Sequence, residues 1–149
     1  VRADGNNANA YNVKVQDCVI DKVGYVLTSK ITTLAEVSGC TITDSKCVLN
    51  CTTDKTEYKV TNNTISTYHD YCIRVNYGPL TVSGNTFNCT YSGVATDAGA
   101  VVLRGSTGNE AEITGNTFTK ASGTMYDAYC ATSWNVNGET ITAGTGKNL

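Results

Sequence analysis

A six-residue phrase recurs along the chain and constrains its fold more than any other feature of the sequence. It reads Val-Gln-Asp-Cys-Val-Ile at 15–20 and Val-Ser-Gly-Asn-Thr-Phe at 82–87, and related phrases begin at residues 37, 60, 113 and 136. The fourth residues of successive phrases are 22, 23, 22, 31 and 23 positions apart. A nearly constant period of this length is typical of solenoids, so each repeat is predicted to form one rung of a stack.

The residue types within the phrase indicate two short strands joined by a sharp corner. The first and sixth positions hold Val, Ile or Phe, and the second and fifth are mostly polar, as in half-buried strands. The third position holds Asp, Asn or Gly, the residues that best tolerate left-handed backbone angles. The fourth position then points inward and stacks from rung to rung at about 4.8 Å. The residues predicted for this ladder are Cys18, Cys40, Asn63, Asn85 and Asn116, with the two cysteines as small apolar fillers.

These phrases and their inward asparagine column resemble the right-handed parallel β-helix of the pectate-lyase-like superfamily, found in bacterial surface proteins and in phage spikes and fibres. The resemblance covers residues 11–142 and is specific for architecture, not for activity. It implies an all-β, right-handed parallel β-helix of about six rungs, with 22–23 residues per rung and one longer rung. Residues 1–149 are expected to form a single domain.

The first ten residues read like the closing half of a rung whose opening half is missing. They compare with the segment that begins at Leu103-Arg104, which ends a strand before the next phrase. We therefore expect the chain to be the C-terminal segment of a longer solenoid or assembly. Further rungs or subunits would then cover its N-terminal edge, and a homo-oligomer such as a trimer is left open.

Composition narrows the range of functions. The formal net charge is −2 without basic clusters, which argues against nucleic-acid binding. No apolar stretch approaches the roughly 20 residues of a membrane span. Seven cysteines accompany a single histidine and form no Cys-x-x-Cys motif, so most are predicted to be free, buried thiols. The acidic residues scatter over the repeat, and we predict neither a metal site nor a cofactor.

A shallow carbohydrate site is predicted near the longest rung. The extra residues of that rung, 88–99, form a loop, and insertions in solenoids often map to the binding face. Two arginines end strands in neighbouring rungs, so we expect them to stack on one outer face, where paired arginines bind uronic or sialic acids. Nearby tyrosines offer aromatic faces to sugars. The residues predicted to contact the ligand are Arg74, Arg104, Tyr77, Tyr91 and Asp97.

An outward array of threonines follows the corners. It is similar to the Thr-x-Thr face of β-solenoid antifreeze proteins, although threonine is also a favoured residue of exposed strands. The resemblance implies an ice-binding face. Its predicted members are Thr41, Thr43, Thr64, Thr86, Thr117, Thr119, Thr140 and Thr142.

The leading functional prediction is a non-catalytic, extracellular or surface-exposed segment that acts as a rigid spacer and contacts carbohydrate or a cell-surface receptor. Two alternatives stay open: a pectate-lyase-like polysaccharide lyase or glycoside hydrolase, and an ice-binding protein. No catalytic residue is predicted. His69 and Asp70 are neighbours in sequence and, in a strand, would face opposite sides. They are expected to lie in a surface loop that starts a strand.

Overall fold

The chain folds as a stack of parallel rungs. The computed structural model describes residues 1–4, 11–30, 32–51, 57–93, 98–106, 109–121 and 125–149. These residues form β-strands and no helix, and the strands coil into a β-solenoid of about five turns. The prediction of an all-β parallel solenoid is therefore confirmed.

Each complete rung contains three strands, and β1 (Arg2–Asp4) precedes the first rung. The rungs are β2 (Asn12–Gln16), β3 (Val19–Asp21) and β4 (Tyr25–Lys30); β5 (Leu34–Ser38), β6 (Thr41–Ser45) and β7 (Cys47–Cys51); β8 (Glu57–Thr61), β9 (Thr64–Thr67) and β10 (Tyr71–Val75); β11 (Leu80–Ser83), β12 (Thr86–Cys89) and β13 (Gly99–Leu103); β14 (Asn109–Thr114), β15 (Thr117–Lys120) and β16 (Tyr126–Cys130). Three further strands follow: β17 (Trp134–Val136), β18 (Glu139–Ile141) and β19 (Thr145–Lys147).

Equivalent strands of successive rungs pair and build three sheets. Sheet A contains β1, β4, β7, β10, β13, β16 and β19. Sheet B contains β2, β5, β8, β11, β14, β17 and β18, and sheet C contains β3, β6, β9, β12 and β15. The apolar first and sixth positions of the phrases point between the sheets. One column of this core runs from Ile42 through Ile65 to the rings of Phe87 and Phe118, which stack with centroids 5.0 Å apart.

The corner between sheets B and C depends on one left-handed residue per rung. The third positions of the first five phrases all have positive φ angles, between 52° and 66°. In the fourth rung this residue is Gly84, where an added Cβ would lie 2.5 Å from the Oδ1 atom of Asn62 one rung away. The corner thus needs Gly, Asn or Asp both for its backbone angle and for the close stacking of the rungs.

The fourth positions form a ladder of side-chain amides inside the corner. The Oδ1 atom of Asn85 accepts hydrogen bonds from the backbone N–H of Asn63 and from its side-chain Nδ2, both at 2.9 Å. Asn116 receives the same two bonds from Asn85, and the Oδ1 atom of Asn63 accepts the N–H of Cys40 at 2.8 Å. Cys40 is buried in the column, whereas Cys18 lies exposed at its end.

The sixth phrase does not form a sixth corner, so the expected number of six rungs is wrong. Asn137 and Gly138 both have positive φ angles, 53° and 80°, and β17 pairs with β18 in antiparallel orientation. Two successive left-handed residues make a type I′ hairpin turn, whereas one such residue makes a corner. The chain therefore reverses at this point, and β19 pairs in antiparallel orientation with β16.

The ladder should dominate the stability of the corner. Asn85 is 2% exposed, and its side chain also donates to the carbonyl oxygen of Val60 at 2.8 Å. Each buried polar group left without a partner costs about 1–3 kcal/mol. We predict that Asn85→Ala lowers the free energy of unfolding in urea by about 3 kcal/mol or more.

The matched control is Asn88→Ala, because Asn88 is exposed on the outer face of β12 in the same rung. That variant should change the free energy of unfolding by less than about 0.5 kcal/mol. Equal losses for the two variants would contradict a stabilising ladder.

Candidate functional site

The outer face of sheet A carries an aromatic and cationic surface. In β10 the second, third and fifth residues, Cys72, Ile73 and Val75, enter the main core. The first and fourth, Tyr71 and Arg74, point outward, and Tyr71 belongs to a separate buried cluster on that side. Because strand register is kept along the sheet, the first and fourth positions of neighbouring strands form two outward columns.

These columns bring together residues that are far apart in sequence. In the first column, Tyr25 lies opposite Cys47, and Tyr71 lies opposite Gly99, which in turn lies opposite Tyr126. In the second column, Arg74 lies between Asn50 and Val102, and Val102 lies opposite Tyr129. Together with Lys46 they form what we call the tyrosine face: Tyr25, Tyr71, Tyr126, Tyr129, Lys46 and Arg74.

Ring and cation contacts hold the tyrosine face together. The Nζ atom of Lys46 lies 5.5 Å from the ring centroid of Tyr25, and the Cζ atom of Arg74 lies 5.2 Å from that of Tyr71. The rings of Tyr126 and Tyr129 lie 6.4 Å apart. Cations at such distances from aromatic rings are attracted by about 0.5–1 kcal/mol at exposed sites. Tyr71 and Tyr129 are each only 8% exposed and form the floor of the face, while Tyr126 is 39% exposed.

Two groups on the outward side of sheet A, Tyr71 and Cys47, stay uncharged at physiological pH. Burial raises the pKa of Tyr71 to about 12, although the charge of Arg74 opposes this shift. Burial likewise raises the pKa of the Cys47 thiol far above its ordinary value. The positive charges of Lys46 and Arg74 therefore meet no negative charge from these two groups.

Neither cation of the tyrosine face has a carboxylate partner in the part of the chain that the structure describes. Among the residues that the structure describes, Lys14, Lys59 and Lys120 form ion pairs with acidic side chains, but Lys46 and Arg74 form none. The Nε atom of Arg74 and the Oδ1 atom of Asn50, on neighbouring strands in register, are buried and have no hydrogen-bond partner within the described ranges. Relative to the described residues, the tyrosine face thus carries two positive charges without ion-pair partners. Beside them lie one donor, the Nε atom of Arg74, and one acceptor, the Oδ1 atom of Asn50, that form no hydrogen bond there.

His69 and Asp70 border the tyrosine face just before β10, where the sequence predicts a loop that starts a strand. Both lie just before β10, outside the strand, and the Nδ1 atom of His69 contacts the Oδ1 atom of Asp70. The strand rule that would place them on opposite sides does not apply here. The His69 ring also packs edge-on against Tyr71, with centroids 4.5 Å apart. Burial lowers the pKa of His69, although the charge of Asp70 opposes this shift.

The structure separates the residues that the sequence predicts to contact a ligand. Arg74 lies opposite Val102, and Arg104 follows β13 with its N–H bonded to the carbonyl oxygen of Val75. The two arginines therefore do not stack, because the register pairs Val75 with Leu103 and so places Arg104 two residues beyond Arg74. Tyr77 lies between β10 and β11 and Tyr91 follows β12, both half-buried. Asp97 lies outside the described residues.

A second surface feature is a hollow on the outer face of sheet B. Its volume is about 600 Å³, and its lining includes Thr81, Glu110, Glu112, Asn135 and Asn137. Glu110 and Glu112 are both exposed on β14. Residues two apart in a strand share one face and lie about 6.6 Å apart between Cα atoms. The pair does not form an acidic column across rungs, because both glutamates lie within one strand. The sequence signal that indicates it is the spacing of two residues between Glu110 and Glu112.

The outward threonines form part of the expected array. Thr41, Thr64, Thr86 and Thr117 stack in register on sheet C, and all four are exposed. The neighbouring column contains Thr43, Ser66, Asn88 and Thr119. An irregularity between Ile42 and Ser45 interrupts this second column.

Thr140 and Thr142 do not continue these columns, so their assignment to the array is corrected. Thr140 pairs with Asn135 in the hairpin of β17 and β18, because the chain reverses at Asn137 and Gly138. Thr142 follows β18 outside sheet C. Ice binding by the remaining threonines stays a prediction.

The described ranges contain no group of three or more His, Cys, Asp or Glu side chains placed to hold a metal ion. No helix found there has the length and apolar character needed to cross a membrane. In comparisons with known proteins, no family model, curated protein or solved structure matches the chain.

The surroundings of His69 predict its titration. Burial and the charges of Lys46 and Arg74 lower its pKa, so its NMR titration midpoint should lie below 6.5. Because the unfolded chain binds this proton more readily, its contribution to stability is largest above pH 6.5. That contribution should fall as the pH drops towards the folded-state pKa.

Arg74→Gln removes one of the charges that lower the pKa of His69 and should raise its midpoint. Arg104→Gln serves as the control, because Arg104 is not among the groups that shift His69. A midpoint at or above 6.5 in the unmodified chain would show that this description of the His69 surroundings is wrong.

Proposed function

We propose that this chain is a non-catalytic β-solenoid segment that binds acidic carbohydrate on its tyrosine face. The observation that carries the proposal is that Lys46 and Arg74, each held above a tyrosine ring, have no carboxylate partner among the described residues. A uronic or sialic acid supplies the matching carboxylate, and guanidinium groups bind carboxylates well.

The tyrosine rings provide the second part of such a site. Tyrosine combines a flat apolar ring with a polar hydroxyl, and this suits sugars, which carry apolar patches of C–H groups beside hydroxyls. Tyr126 is the most exposed ring of the face, and it packs with one side over Gly146. Sugar hydroxyls both donate and accept hydrogen bonds, so one hydroxyl could serve both Asn50 and Arg74 once their side chains adjust.

The rigid stack suggests the setting in which this face works. We propose that the chain is extracellular or lies on a cell or virion surface, where the solenoid spaces the tyrosine face from its attachment point. We also place it in the pectate-lyase-like group of right-handed parallel β-helices. The repeated corner and the asparagine ladder support this assignment, and fold alone does not decide the activity.

A second candidate function is glycoside hydrolysis in the hollow of sheet B. Glu110 and Glu112 lie on one face at a backbone separation of about 6.6 Å. Inverting glycosidases use two carboxyl groups, with one acting as acid and the other as base. The neighbouring Asn135 and Asn137 could hold sugar hydroxyls.

Calorimetric titration with oligogalacturonate and with a neutral oligosaccharide of the same length tests the leading proposal. We predict that only the acidic ligand binds, and more weakly at high salt, because salt screens exposed charges. Arg74→Gln and Lys46→Gln should each weaken binding about ten-fold, which corresponds to about 1.4 kcal/mol. Arg104→Gln is the matched control and should leave binding unchanged.

Equal binding of the acidic and neutral oligosaccharides, or equal losses in Arg74→Gln and Arg104→Gln, would contradict the tyrosine face as the site. Shortening of the oligosaccharide during incubation would favour glycoside hydrolysis, the second candidate function. In that case Glu112→Gln should stop the cleavage, and Arg74→Gln should retain it.

A further inference from the structure

Two buried sulfur atoms lie in contact inside the solenoid. The Sγ atoms of Cys72 and Cys89 are 3.1 Å apart, and both residues are 0% exposed. All seven cysteines are free thiols in this structure. A disulfide bond is about 2.05 Å long, so a shift of about 1 Å would bring these two sulfurs to bonding distance.

The two cysteines connect different parts of the fold. Cys72 is the second residue of β10 in sheet A, and Cys89 is the last residue of β12 in sheet C. β10 belongs to the third rung and β12 to the fourth, so a bond between them would tie successive rungs and two sheets together. The strand that it would fix is the one that carries Tyr71 and Arg74.

The polar surroundings of Cys72 suit either state of its sulfur. The Oγ1 atom of Thr67 lies 2.7 Å from the Sγ atom of Cys72, and Thr67 is itself 0% exposed. A hydroxyl can donate its proton to a thiol sulfur or to a disulfide sulfur. Formation of the bond therefore does not leave the buried hydroxyl of Thr67 without a partner.

We propose that Cys72 and Cys89 form a disulfide bond when the chain folds in oxidising surroundings. The thiolate of one cysteine attacks a small disulfide oxidant such as oxidised glutathione, and a mixed disulfide forms as one glutathione leaves as a thiol. The second cysteine then attacks the protein sulfur of that mixed disulfide and releases the second glutathione. Overall, two protein thiols lose two hydrogens and two electrons, and one glutathione disulfide becomes two thiols.

Burial determines when this bond forms. Desolvation raises the pKa of the Cys72 thiol well above its ordinary value, so the reactive thiolate is rare in the folded protein. The exchange should therefore take place before the core closes. Once closed, the core shields the bond from external thiols. This inference is independent of the proposed carbohydrate binding.

Peptide mapping after oxidative refolding tests the inference directly. The reduced, denatured chain is refolded in a mixture of reduced and oxidised glutathione. It is then denatured, alkylated with iodoacetamide without added reductant and digested with trypsin. Cleavage after Lys59, Arg74 and Arg104 places Cys72 in the peptide 60–74 and Cys89 in the peptide 75–104. We expect these two peptides to be joined and to separate after reduction.

The same digest contains its own control. Cys47 and Cys51 lie together in the peptide 47–55 and are both buried. Their sulfur atoms contact other partners, namely backbone oxygens for Cys47 and the Ser29 hydroxyl for Cys51. This peptide should carry two alkyl groups. Alkylation of both Cys72 and Cys89 in the refolded protein, or a bond from either one to another cysteine, would overturn the proposal.

Cysteine variants give a second measurement. If the bond exists, Cys72→Ala, Cys89→Ala and the double variant all remove it, and each should lower the melting temperature by about 6–12 °C. Two single losses that add up in the double variant would show that the thiols act separately and would overturn the proposal. Should the variants fail to fold, the peptide map of the unmodified chain still decides.

Discussion

The hydrogen bond from a corner N–H to the side-chain oxygen of the next rung is the interaction on which the rest of this structure depends. At the corner the chain leaves sheet B for sheet C, and the N–H of the fourth phrase residue has no strand partner. The Oδ1 atoms of Asn63, Asn85 and Asn116 each accept such an N–H from the rung before. The corner can therefore be buried without an unpaired donor, which would otherwise cost about 1–3 kcal/mol in each rung.

This ladder also fixes what the surfaces display. Because each amide bonds to the equivalent residue of the neighbouring rung, the rungs cannot slip past one another by a residue without breaking the column. A slip of one residue would turn the outward side chains of every strand into the core. With the register fixed, Arg74 lies beside Asn50, Thr64 lies between Thr41 and Thr86, and the three sheets present three chemically different faces.

The parts of the fold that could be predicted are those encoded within a single phrase. Each phrase has a left-handed residue followed by an inward asparagine, with alternating apolar positions on both sides. This pattern specifies a corner between two strands, so the corner, the ladder and the column of Thr41, Thr64, Thr86 and Thr117 follow from it. The hairpin at Asn137 and Gly138 was missed because the sixth phrase matches the repeat, while its Asn-Gly pair is itself a hairpin signal.

The candidate site could be predicted only in part, because it depends on distances between rungs. The sequence predicts Arg74 as a site residue, but the predicted stacking of Arg74 with Arg104 is wrong. The register of β10 and β13 pairs Arg74 with Val102, and the position of the arginines in the sequence does not reveal this register. Tyr25 and Tyr129 went unnoticed because the strands of sheet A have no recurring phrase. Their outward positions, the first and the fourth, also depart from simple alternation. The contact of Cys72 with Cys89 joins two sheets, and no spacing in the sequence indicates it.

Amide hydrogen exchange at the corners tests the central claim most directly. In a ladder-supported stack, the backbone N–H groups of Asn63 and Asn85 bond to the side-chain oxygens of Asn85, which is buried, and Asn116, which is half-buried, although neither Asn63 nor Asn85 lies in a strand. Their exchange should be as slow as that of the neighbouring core residues Val60 and Ile65. Exchange of the Asn63 and Asn85 amides at the rates of exposed loops would contradict the ladder as the organising interaction of this fold.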